Sequence, residues 1–112
     1  MIGSNQPQVL GEFYGKVFDK KPEMQEDSWY GFMVGSCFIT IGEHSEVKGS
    51  SKEPQRIIVN LETTEVKQEF ERIKGIEGAE VIKDPYELMG AWIATFADPD
   101  GNYFQLMTPW KD

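Results

Sequence analysis

Phe96-Ala97-Asp98-Pro99-Asp100-Gly101-Asn102-Tyr103-Phe104-Gln105-Leu106 sets a turn rich in Asp, Pro and Gly between two apolar runs, and the fold follows from it. Pro99 brings a set φ and Gly101 a residue able to take positive φ, the chemistry of a type I turn followed by a bulge. Apolar runs flank the turn, Ala91 to Phe96 before it and Asn102 to Met107 after it, so the whole reads as a β-hairpin. Alternation on the second strand puts Tyr103, Gln105 and Met107 on one face and Asn102, Phe104 and Leu106 on the other. On the first strand Trp92, Ala94 and Phe96 alternate with Ala91, Ile93 and Thr95, and periodicity leaves open which set looks inward.

Working outward from the hairpin, Asp84-Pro85-Tyr86 reads as a loop and Ala79 to Ile82 as a short strand. Val66, Phe70 and Ile73 are spaced as the buried stripe of a helix, with Thr63 or Thr64 as its cap and Gly75 and Gly78 to stop it. Arg56 to Leu61 is β-branched and apolar, a strand. The segment Glu43 to Gln55 has no period and reads as a solvated connection. Ahead of it, Trp29 to Val34 and Cys37 to Ile41, joined by Gly35-Ser36, form another hairpin. Val9, Leu10, Phe13, Tyr14 and Val17 mark a helix from about Gln6 to Phe18, with Asn5 placed to cap it and Pro7 tolerated in its first turn.

The two halves overlay as a weak repeat. Val9, Glu12 and Phe13 match Val66, Glu69 and Phe70 at an offset of about 57, and Phe38 to Ile41 match Phe104 to Met107 at an offset of about 66. Each half reads as a strand, a helix and two or three further strands. The expected organisation is one domain over residues 1–112, with a first module over about 1–48, a connection over about 43–55 and a second module over about 56–112.

Composition narrows the function classes. The chain has 112 residues, a net charge of -8, 39% apolar residues, three Trp, four Tyr and seven Phe, enough to fill one main core. With a pI near 4.6 and no gathered Lys and Arg, nucleic acid and acidic membranes are expected to be excluded as partners. No apolar run approaches bilayer length and the N-terminus shows no signal-peptide pattern, so a soluble, cytoplasmic protein is expected. The lone Cys37 cannot make an intramolecular disulfide, and His44, in a polar connection, is a poor activating partner for it.

The hairpin quoted above, together with Glu12-Phe13-Tyr14-Gly15-Lys16-Val17-Phe18, resembles the vicinal oxygen chelate superfamily of glyoxalase, bleomycin-resistance and extradiol-dioxygenase proteins. The resemblance covers nearly the whole chain. It implies an α+β fold of two βαβββ modules whose mixed sheet curls around a cavity, here with the first strand abbreviated to about Met1 to Ser4, completed as a homodimer. It also implies one divalent metal, held by a His from each module's first strand and a Glu from each module's last strand. Carried over residue by residue, the second module's Glu position is Gln105, its counterpart in the first module is Ile39, a His position falls near Arg56, and the remaining position falls at or before Met1. None is a good ligand, so no metal cofactor is expected.

What the resemblance leaves is a pocket for a small organic molecule. Gln105 faces it by carry-over, with Tyr103 and Met107 beside it, and Trp92 is the preferred aromatic wall. For Trp92, Trp29 and Tyr30 alike, a place in the core or a dimer contact is the equal alternative. Arg56, a guanidinium on an otherwise apolar strand, must reach solvent, a carboxylate or an anionic ligand. Arg56, Trp92, Tyr103, Gln105 and Met107 are therefore the candidate ligand-binding residues, and no catalytic residue is assigned. The expected function is metal-free binding or sequestration of a small molecule. The alternative is a metal-dependent glyoxalase-like lyase or isomerase with an atypical site.

Overall fold

The computed structural model describes residues 1–109, so Trp110, Lys111 and Asp112 of the expected second module lie outside the described residues. The chain divides into two compact units, one over Met1–Ser50 and one that begins at Ser51. Each contains one helix and a four-stranded mixed sheet in the expected βαβββ order.

In the first unit, β1 (Ile2–Ser4), α1 (Pro7–Phe18), β2 (Met24–Glu26), β3 (Trp29–Val34) and β4 (Cys37–Glu43) build a sheet of order β1-β4-β3-β2. Only β1 and β4 run parallel, as a strand joined to the sheet through a helix must. Pro7 opens α1, where its missing N–H costs nothing. The cap residue is Gln6 rather than Asn5, and the Gln6 N–H donates to Ser4 Oγ at 2.9 Å. Leu10, Phe13, Tyr14 and Val17 are buried along the helix, and Tyr30, Phe32 and Ile41 on the strands. Gly11 lets the layers approach closely, since a Cβ there would lie 2.5 Å from the Tyr30 ring. Tyr30 is thus a core aromatic.

β2 was not expected from the sequence, because three residues are too few to show alternation. It is made by the turn at Asp27, whose φ of 51° returns the chain so that Glu26 pairs with Trp29. Past the end of β2, two side chains take over its role. The Met33 N–H donates to Glu23 Oε2 and the Met33 carbonyl accepts from Lys20 Nζ, both at 2.8 Å.

The second unit consists of β5 (Val59–Glu62), α2 (Val66–Lys74), β6 (Glu80–Leu88), β7 (Ala91–Ala97) and β8 (Tyr103–Met107), in the order β5-β8-β7-β6. The Asp98–Asn102 turn is closed by Asp98 itself. Its Oδ1 accepts the N–H groups of Asp100 and Asn102 at 2.9 and 3.0 Å, and Gly101 takes φ 79°. Above the sheet, Val66, Phe70 and Ile73 bury against a layer that includes Phe96 and Phe104. The rings of Phe70, Phe96 and Phe104 follow one another at centroid distances of 5.2 and 5.5 Å, a favourable aromatic spacing.

Two strand assignments change. The strand expected from Arg56 begins only at Val59, which pairs in parallel with Phe104. Two steps further back its partner strand has given way to the turn, where Asn102 is committed to Asp98, so Arg56 and Ile57 have no ladder to join. Conversely, the loop expected at Asp84-Pro85-Tyr86 lies within β6. Pro85 is tolerated because β6 is an edge strand whose register against β7 shifts between Lys83 and Tyr86.

The repeat is real in pattern but slipped in register. Ser4 Oγ accepts from Gln6, and Thr63 Oγ1 accepts from the α2 cap residue Glu65 at 3.0 Å, so the equivalent helix starts are 59 residues apart. Ile2 pairs with Ile41 and Leu61 with Leu106, so the last strands are 65 apart. At that spacing the counterpart of Gln105 is Thr40, not Ile39. Ile39 pairs with the buried Phe32 and lies on the helix side, because a slip of one residue reverses the face.

Candidate functional site

Each sheet has a helix side and an open side, and pairing assigns every residue to one of them. In the second unit Gln105 lies between Asn60 on β5 and Thr95 on β7. Directly paired residues project to the same face, so these three form a polar row. The Gln105 Nε2 donates to Thr95 Oγ1 at 3.3 Å, which orients the amide and turns its carbonyl oxygen away from Thr95. Beside that row Met107 lies between Glu62 and Ile93, and on the other side Tyr103 pairs with Ala97. Tyr103, Gln105 and Met107 thus share a face, as alternation requires. Thr95 is buried, so the row presents chiefly its two amides, and β6 adds Lys83 beside Thr95 and Glu80 beside Ala97 on the same face.

The other two candidate residues are elsewhere. Trp92 alternates with Ile93 and Thr95 and so projects to the helix side, where Lys67 Nζ stands 3.7 Å from its ring centroid. It borders a cavity of about 220 Å³ with Thr108 and the first turn of α2, Thr64 to Gln68. The Trp92 N–H donates to Thr108 Oγ1 at 2.9 Å, so this tryptophan holds strand to helix rather than walling the Gln105 face. Arg56 precedes β5 in a turn, its N–H donating to the Glu53 carbonyl at 3.1 Å. Its guanidinium pairs with the Glu53 carboxylate, and both side chains are largely exposed. Of the destinations open to it from sequence, the carboxylate takes it.

Asn60 and Thr95 were missed. Thr95 was visible as the one polar member of its alternating set, but the set's direction was not. Asn60 became a neighbour of Gln105 only through the parallel pairing of two strands more than forty residues apart.

The first unit's open face carries different chemistry. Trp29, Met33 and Phe38 remain exposed there, with Gly31 and Gly42 between them in the ladder. Cys37 is exposed at the hairpin end, and His44 Nδ1 accepts the Glu46 N–H at 3.1 Å. Among the described residues no three His, Cys, Asp or Glu side chains gather closely enough to hold a metal ion, and no helix is long and apolar enough to cross a membrane.

A family model described as a glyoxalase-like domain matches residues 1–107. The chain belongs to the glyoxalase-like family. Solved structures share the fold over nearly all of its length. A hypothetical protein from S. aureus has a TM-score of 0.76 at 21% identity, over 96% of this chain and 89% of its own. A glyoxalase/bleomycin resistance protein from Albidiferax ferrireducens has a TM-score of 0.77 at 16% identity, over 98% and 95%. A fosfomycin resistance protein from Mesorhizobium loti has a TM-score of 0.69 at 16% identity, over 97% and 87%. No curated protein sequence matches the chain. For this glyoxalase-like chain, then, the comparisons establish the family and the fold, and the side chains must carry the chemistry.

Proposed function

We propose that this glyoxalase-like protein binds a small organic molecule against its Gln105 face without using a divalent metal, as a cytoplasmic homodimer. The observation that carries the reading is the Asn60–Gln105–Thr95 row. Where the family resemblance puts a glutamate, this chain has an amide already engaged with Thr95, and its neighbour on β5 is a second amide. Neutral amides give a hard cation no charge, the carboxylates registered on this face, Glu62 and Glu80, stand beside Met107 and Ala97 rather than Gln105, and the residue registered beside Thr95 is the cation Lys83. The residues present do not fit the metal.

The same row suits an organic ligand. Amide carbonyl and N–H groups pair with a ligand's hydroxyl, amide or carbonyl, while the half-buried Tyr103 and Met107 supply apolar contact. Names of structural neighbours point the same way, since two refer to resistance to small molecules, bleomycin and fosfomycin.

The test is a thermal-shift and calorimetric screen of small organic molecules against protein purified without chelators. We expect hits whose affinity is unchanged by EDTA and falls roughly five- to tenfold in Gln105→Ala, the loss of about one hydrogen bond. Sedimentation should give a dimer. A stoichiometric metal in the purified protein, with binding or lyase activity abolished by EDTA, would instead establish a metal-dependent glyoxalase-like lyase or isomerase.

A further inference from the structure

We propose that residues 19–27 form a hinged strap over the outer edge of β3, and that the Lys20–Glu23 pair is the clasp that keeps it shut. This concerns the first unit alone and does not depend on the Gln105 reading. The Met33 N–H and carbonyl point away from β4, since they bond to Glu23 Oε2 and Lys20 Nζ. Backbone groups alternate in direction along an antiparallel strand, so Trp29 and Gly31 turn theirs the same way, while Tyr30, Phe32 and Val34 turn theirs to β4. Without the strap, three residues of a sheet edge would lie bare, and a bare edge recruits strands from other chains.

The cover over this edge is thin. β2 contributes only Met24–Glu26, paired with Gly31, Tyr30 and Trp29. In residues 19–27 no side chain is buried; Pro22 and Met24 are half-buried and the rest are exposed. Swinging the strap out therefore gives little apolar surface to water, which is the mark of a segment that opens without the rest of its unit. Tyr30 and Phe32, on the strand beneath, are buried and stay with the core.

The strap has defined ends. Asp19 closes α1 at φ 55° and Asp27 turns the chain into β3 at φ 51°, the left-handed region that a side chain enters at a cost. Between these ends the Lys20 ammonium pairs with the Glu23 carboxylate, and each also holds one backbone group of Met33. The clasp thus covers the one edge residue that β2 is too short to reach. Glu23 directly precedes Met24, so releasing Glu23 from Met33 also frees the end of β2 that pairs with Gly31. Clasp and strand open together.

The test is amide hydrogen exchange of the full chain, followed by NMR over a urea series. In the parent protein the Gly31 and Met33 amides should exchange through one opening, with equal protection and weak urea dependence, and the Phe32 amide through a larger, urea-sensitive one. Glu23→Ala should speed Gly31 and Met33 by the same factor, about three- to tenfold, although Gly31 pairs with Met24 and not with Glu23. Glu23→Gln, which keeps an acceptor for the Met33 N–H and gives up the ion pair, should fall between. Trypsin supplies an independent readout. Lys21 precedes Pro22, so the bond after Lys20 is the one in the strap that trypsin cuts. Glu23→Ala should speed that cleavage while cuts after Lys48 and Lys52 keep their rates.

Acceleration of the Met33 amide alone would overturn the proposal, because Glu23 would then hold one bond and no strap. So would a Gly31 amide as protected and as urea-sensitive as that of Phe32, which would make the segment part of the core. Cleavage after Lys20 at the parent rate in Glu23→Ala would overturn it as well.

Discussion

Glu23 shows how one exposed side chain extends a sheet. Its carboxylate accepts the Met33 N–H while Lys20 holds it from the other side. Lys20 first, and the Met33 backbone second, keep its carboxyl below the usual carboxylate range. A carboxyl whose pKa is lower folded than unfolded stabilises the fold above its unfolded pKa and loses that contribution as pH falls through the folded one. Glu23→Gln should therefore be less stable than the parent at neutral pH. The difference should shrink below the ordinary carboxylate pKa and vanish under the folded one. Urea unfolding followed at a series of pH values checks this. At this scale the sequence was least legible. Arg56 looked like a charge stranded on an apolar strand, and only the turn that brings Glu53 beside it removes the anomaly.

Among the elements, the β6–β7 hairpin carries a visible conflict. Its two turn residues are Met89 and Gly90 at φ 52° and 86°, the doubly positive geometry of a type I′ turn. Gly90 suits that geometry, but methionine rarely adopts it, and Met89 is 96% exposed with no packing to repay the strain. Met89→Asn should stabilise the protein by about 0.5–1 kcal/mol, since asparagine tolerates the left-handed region. An unchanged thermal midpoint would mean that the strain is relieved elsewhere in the hairpin. The helices were legible because their apolar stripes repeat over two turns or more, as were the long hairpins. β2 and the middle of β6 were not. One is too short to display a period, and the other contains a proline that only an edge position permits.

For the whole molecule, charge is the property that needs no fold to predict. A net charge of -8 keeps copies apart and repels polyanions. Acidification towards the pI near 4.6 removes that repulsion while carboxylates such as Glu23 lose their native partners, so light scattering should rise steeply as pH approaches 5, and Lys or Arg substitutions on exposed loops, which raise the pI, should move that rise to higher pH. Scattering that is flat across this range would show that exposed apolar groups, not net charge, control association.

Legible in the residues were a twofold plan of strand, helix and further strands, which the family resemblance completed to βαβββ, the two helices with their buried stripes, the Asp98–Gly101 turn and the shared face of Tyr103, Gln105 and Met107. All of these are local, written in periods of two or 3.6 residues and in turn chemistry that spans a few positions. Which face each strand turns to the helix was settled by long-range pairing alone. That pairing separated Trp92 from Gln105, replaced Ile39 by Thr40 as the repeat partner, and set Asn60 beside Gln105. The physical reason is that strand faces alternate at every residue. A register error of one position, invisible to a weak sequence repeat, exchanges core for site, and pairing between distant strands is what removes the ambiguity.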